Sequence, residues 1–120
     1  MSAQSRRSRL ELEDNGEVAV VNFRDKKILD PGIITKIGED LFSLVDEYQQ
    51  KKILLDFNNV EYLSSSAIGK FITLNKKCWG IGGKLILCNI NEDIFEVFEV
   101  HRLDKLFNIQ KDKETALHAF

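Results

Sequence analysis

Ile53-Leu54-Leu55-Asp56-Phe57 opens the stretch that decides the fold, and Lys84 to Cys88 closes it. Both are short apolar runs, the pattern of strands covered on both faces. Between them lie the loop Asn58 to Leu63, the triplet Ser64-Ser65-Ser66 and a helical stripe through Ile68, Phe71, Ile72, Cys78 and Trp79. Hydroxyls at the mouth of that stripe can take the first free amides of a helix. Gly80-Ile81-Gly82-Gly83 ends it, as left-handed residues do at a helix C-terminus. Strand, helix and strand in that order predict a parallel pair joined by a right-handed crossover.

The reading extends outward in both directions. Upstream, Asp30-Pro31 marks a helix start, since Asp30 can cap the exposed amides and Pro31 fits the first turn. Ile34, Ile37, Leu41, Leu44, Val45 and Tyr48 then recur every three or four residues, with Glu39, Asp40, Asp46 and Glu47 off the stripe. Earlier still, Leu10 and Leu12 alternate with Glu11 and Glu13 like a half-buried edge strand. Asp14-Asn15-Gly16-Glu17 predicts a type I′ hairpin turn with positive φ at Asn15 and Gly16, and Val18 to Phe23 is the returning strand. Downstream, Ile94, Val97, Phe98 and His101 predict the inward side of a third helix. That helix carries more apolar residues than one stripe needs, Phe95 and Val100 among them. Leu106 to Ile109 follows as a short strand, and Thr115 to Phe120 as a closing helix. The order β-β-α-β-α-β-α-β-α predicts a single α/β domain over 10–120, with a mixed, mostly parallel central sheet. Residues 1–9 read as a flexible leader, with Arg6, Arg7 and Arg9 either on a solvated terminus or on an arm for acidic surfaces.

Composition narrows the function. The 120 residues are 43% hydrophobic and 30% charged, which suits one compact soluble domain. A TIM barrel would need roughly 250 residues. A net charge of −2 argues against nucleic acid as the main partner. No apolar run approaches the roughly 18 residues of a membrane span, so direct membrane insertion is not expected. The leader has no apolar segment after its arginines, so no secretory signal is expected either. Cys78 and Cys88, without CxxC spacing, fit reduced core thiols and a cytoplasmic location.

Few residues promise catalysis. The Gly80 to Gly83 cluster follows a helix and precedes a strand, the wrong polarity for a phosphate cradle. His101 and His118 are the only imidazoles, and neither neighbours a carboxylate–nucleophile set in sequence. No His, Cys or carboxylate group has metal-ligand spacing. Neither a catalytic residue, a metal nor a cofactor is predicted. The serine triplet is more informative. One serine suffices for a cap, so at least one hydroxyl is left for another role, and a phosphate here would sit at the positive end of a helix.

Val60-Glu61-Tyr62-Leu63-Ser64-Ser65-Ser66-Ala67-Ile68-Gly69 resembles the strand-to-helix signature of the STAS domain, best known in bacterial anti-sigma factor antagonists. The family pattern is Asp-Ser-Ser/Thr-Gly-Leu-Gly after a strand of the type Asp-Leu-Ser-x-Val, which Asp56 to Val60 matches. Ile28-Leu29-Asp30 resembles the family's Gly-x-Leu-Asp, and Gly82 to Leu87 its third stretch. Ser64 stands where the family usually has Asp, and Ala67 where it usually has Gly. The resemblance implies a STAS-like domain that acts as a regulatory protein-binding switch and not as an enzyme. It would bind an anti-sigma factor serine kinase when unphosphorylated and be released on phosphorylation at Ser65, with Ser66 or Ser64 as alternative positions. A metal-dependent serine phosphatase would reset it. Asp30, Ser64, Ser65, Ser66 and Gly69 are the implied partner-binding residues. Two other uses of the fold stay open: an accessory subunit of a lipid or solute transporter, and a small-ligand or nucleotide sensor using the loops before the first two helices.

Overall fold

Asn15 and Val18 are the last paired residues of the opening hairpin, in a computed structural model that describes residues 9–120. The expected leader, apart from Arg9, lies outside the described residues. Strands β1 (Leu10–Asn15) and β2 (Val18–Phe23) run antiparallel around a two-residue loop, Gly16-Glu17. Only Gly16 of that loop has a positive φ, +65°. That is the pattern of a type II′ turn, which needs glycine at its first position, and it corrects the expected type I′ turn. Asn15 stays in the strand.

The remaining elements are β3 (Lys27–Ile28), α1 (Pro31–Asp46), β4 (Lys52–Asp56), β5 (Tyr62–Leu63), α2 (Ser65–Gly80), β6 (Lys84–Cys88), α3 (Glu92–Val100), β7 (Asn108–Gln110) and α4 (Lys113–Leu117). The main sheet has the order β1-β2-β4-β6-β7, and every pair after the first is parallel. This is the expected mixed, mostly parallel sheet. The short pair β3 and β5 forms a second, two-stranded parallel sheet that the sequence pattern does not predict.

Alternation along the strands builds two cores. Val21, Phe23, Ile53, Leu55, Leu85 and Leu87 face α1 and α2, with Ile37, Leu41, Phe71 and Leu74 packed down from the helices. Phe23, Phe57 and Phe71 meet there, with ring centroids 5.0–5.9 Å apart. Val18, Val20, Leu54, Ile86 and Cys88 face the other way, under Ala116 of α4 and the partly buried Leu117 and Phe120. The central strands are therefore covered on both faces, as their apolar runs require.

Five side chains depart from the expected inward stripes. Trp79 is 75% exposed, because it follows the fully buried Cys78 by one residue and about 100° of helical rotation. His101 caps α3 through its backbone and is exposed, and Val97 is 40% exposed. Leu12 is 60% exposed on edge strand β1, and Tyr48 lies beyond the end of α1 in solvent.

The glycine cluster is the expected cap. Gly83 N donates to the Cys78 carbonyl and Gly82 N to that of Trp79, with Gly82 at φ +73°, the two bonds of a Schellman motif. Gly83 also lies hard against the chain at Lys51, where any Cβ would sit 2.5 Å from the carbonyl oxygen.

Candidate functional site

Parallel pairing of β3 with β5 brings the starts of α1 and α2 to one end of the molecule. Ser64 N donates to the Ile28 carbonyl at 3.1 Å, so the segment before α2 is fastened to the segment before α1. Each helix has its own cap there. An Asp30 carboxylate oxygen accepts from Ile33 N at 3.1 Å, and Pro31 occupies the first turn, where its missing N–H costs nothing. Ser64 Oγ accepts from Ala67 N at 3.3 Å.

The loop that carries Ser64 is held by amide and carboxylate struts. Buried Asp56 accepts from Asn58 N at 3.0 Å and from Asn89 Nδ2 at 2.9 Å. Asn59 Nδ2 donates to the Phe23 and Arg24 carbonyls, both at 3.1 Å. Asn91 both caps α3 and donates to the Val60 and Glu61 carbonyls. A loop fixed at so many points presents its end residues in a defined place.

The triplet divides its labour. Ser64 is the N-cap, so Ser65 and Ser66 are the first two helical residues. This places Ser65 one position inside the helix and not at the cap. Both hydroxyls are exposed, and neither has a hydrogen bond among the described residues. Their backbone N–H groups belong to the free first turn of α2. Gly69 lies one turn further along, on the same face as Ser65 and Ser66. A Cβ added there would meet nothing within 4 Å, so packing does not demand glycine at this position, and its effect is to leave the helix surface bare beside Ser65.

Around this end stand apolar groups absent from the sequence prediction. Leu29 is 50% exposed and Tyr62 53%, with the Lys27 ammonium 5.6 Å from the Tyr62 ring centroid. Their signal was hidden because two-residue strands have no readable period.

No group of three or more His, Cys, Asp or Glu among the described residues could hold a metal ion. Burial pushes the Cys78 thiol up to about 11. Burial and then the Asp56 carboxylate push Cys88 up to about 12, so both sulfurs stay protonated and inert. Among the described residues, no helix is long and apolar enough to cross a membrane.

Fold and site together define a small α/β domain with a mostly parallel sheet, whose distinctive end is a rigid loop and two helix starts carrying free serine hydroxyls. The chain belongs to the STAS domain family, whose model matches residues 9–116. It is 27% identical over 85 residues to BtrV of Bordetella bronchiseptica, a candidate anti-sigma factor antagonist, covering 71% of this chain and 72% of that one. It is also similar in structure to an anti-sigma-factor antagonist (STAS) domain protein from Planctomyces limnophilus, with TM-score 0.82 and 23% identity over 92% of this chain and 96% of that one. The phosphorylated form of the Bacillus cell fate determinant SpoIIAA shares the fold at TM-score 0.70 and 18% identity, over 92% and 99% of the two chains.

Proposed function

We propose that this chain is an anti-sigma factor antagonist that switches partners through Ser65. The observation that carries the reading is the pair of free, exposed hydroxyls at the start of α2, left over once Ser64 has capped the helix. The relatives support it, since BtrV is a candidate antagonist, the Planctomyces protein is an antagonist-type STAS domain and SpoIIAA has a phosphorylated form.

In this reading the unmodified domain binds an anti-sigma serine kinase through Asp30, Ser64, Ser65, Ser66 and the bare surface at Gly69, with Leu29 and Tyr62 as apolar anchors. The kinase transfers the γ-phosphoryl group of ATP to Ser65 Oγ, which loses its proton as the β–γ P–O bond breaks and ADP leaves. A phosphate of roughly −1.5 to −2 charges then sits at the positive end of α2, where the Ser65 and Ser66 amides can receive it. The fold tolerates that dianion, but an interface that must desolvate it does not. A metal-dependent phosphatase restores the hydroxyl. Ser64, in place of the family's usual Asp, keeps the capping function without a carboxylate.

Calorimetric titration of the cognate anti-sigma kinase tests this. Ser65→Ala retains wild-type affinity, and Ser65→Asp weakens it about tenfold or more, the equivalent of about 1.4 kcal/mol. Equal affinities for all three proteins would overturn the assignment.

A further inference from the structure

The two flanks of α2 run down from the Ser65 end and differ in what covers them. On the flank toward α1, the Lys70 stem lies against Gly38. Lys77 bonds Asp46 there at 2.9 Å, with its ammonium 5.3 Å from the Phe42 ring centroid. That flank is closed, and α2 lies close along α1. The other flank faces α3, because β6 and then β7 carry the sheet away from β4, and α3 shares the core under α1 and α2. Here α2 stands off from its neighbour. Both helices start at the Ser65 end, where Asn91 ties α3 to the Val60 and Glu61 carbonyls. An open valley therefore leads down from the serines.

The side chains along it are largely apolar and uncovered. Ser65, Ile72 and Trp79 are spaced by seven residues, which keeps them within about 40° of one another around α2, with Gly69 and Lys76 between them. Trp79 is two residues, or about 200° of rotation, from Lys77 and so lies away from α1. On α3, Val97 stands two residues from Phe95, which faces β7, and Val100 shares its face one turn on. Ile72 is half-buried, whereas Trp79, Val97 and Val100 are exposed. Gly69 opens the backbone to close approach. Lys76 is exposed, with no ion pair among the described residues.

A stable interface engages roughly 20–30 residues a side, more than the Ser65 end offers, and tryptophan is prominent among the anchors of such interfaces. We propose that the partner surface at Ser65 continues along this valley to Trp79, about 21 Å down α2. It receives an amphipathic helix of the anti-sigma kinase, apolar toward Ile72 and Trp79 and acidic toward Lys76. The valley rests on the Ser65 reading for the identity of this partner, though not for its own shape. Docking there holds the domain while the Ser65 hydroxyl stays at the mouth for transfer.

Trp79 is the single tryptophan of the chain, so fluorotryptophan labelling gives one fluorine NMR signal. The cognate kinase is added with a non-hydrolysable ATP analogue, which keeps Ser65 unmodified. The signal shifts and loses its isotope difference between light and heavy water. In calorimetric titrations Trp79→Ala and Lys76→Glu each lose about tenfold or more in affinity. Leu12→Ala, which trims a comparably exposed side chain on β1, binds like wild type. All three positions are exposed, so the variants stay folded, as circular dichroism checks. An unmoved fluorine signal, an equal loss in Leu12→Ala, or wild-type binding by Trp79→Ala alongside weak binding by Ser65→Asp would overturn the valley and leave the switch standing. A loss in Trp79→Ala with none in Ser65→Asp would keep the valley and overturn the switch. A kinase that binds none of these proteins overturns both.

Discussion

Replacing Ser64 and Ser65 one at a time by alanine separates the structural serine from the free one. Ser64 Oγ accepts a 3.3 Å hydrogen bond from Ala67 N, and the residue is partly buried at the join with Ile28. Losing an N-cap of this kind costs about 1 kcal/mol. With an unfolding entropy of roughly 2.1 cal/mol/K per residue over 120 residues, that lowers Tm by about 4 °C. Ser65 is exposed and its hydroxyl holds nothing, so Ser65→Ala shifts stability by less than about 0.5 kcal/mol, or about 2 °C. Ser64→Asp keeps the cap, places a negative charge at the positive end of α2, and matches wild type or exceeds it by a few tenths of a kcal/mol. Urea unfolding and thermal melts of the four proteins, run side by side, read all three effects. A loss in Ser65→Ala as large as that in Ser64→Ala would put the cap on Ser65 and refute the division of roles.

Three further outcomes follow from packing and burial. Gly83→Ala drives a Cβ to 2.5 Å from the Lys51 carbonyl oxygen and forces backbone apart, a loss of about 1–3 kcal/mol in urea unfolding. Gly69→Ala, with nothing within 4 Å of the new methyl, stabilises α2 by about 0.5–1 kcal/mol, while roughening the surface beside Ser65, so the proposed switch expects weaker binding to its kinase partner. The two thiols make the protein alkali-sensitive. Unfolded cysteines ionise near 9.0, whereas burial holds Cys78 to about 11 and Cys88 to about 12. The unfolded state therefore releases protons first, and stability falls as pH rises above about 9. A urea midpoint that stays level between pH 8 and pH 10 would contradict this.

Much of the fold was written in local patterns. Val18 to Phe23 and Lys84 to Cys88 coincide with β2 and β6, because each holds four apolar residues in a row, Val18 to Val21 and Leu85 to Cys88. The cap at Asp30 and the Schellman turn at Gly82 were legible for the same reason, since each depends on one residue with one special property. What was lost depended on tertiary context. β3 and β5 are two residues each and exist through pairing with each other, so Leu29 and Tyr62 could not be placed at the site beforehand. Trp79 was assigned inward by its chemistry, but one residue past the buried Cys78 it turns about 100° away from the core. The serine triplet was readable as a helix start, whereas the choice of Ser64 as its cap needed the bond to Ala67 N.

Phosphopeptide mapping by mass spectrometry, on the protein isolated from its native cells in growth and under stress, tests the switch most directly. The expected result is a phosphate on Ser65, with an occupancy that changes between the two conditions while Ser64 stays unmodified. A triplet without phosphate in both conditions would contradict the switch and leave the three serines as the start of a helix and nothing more.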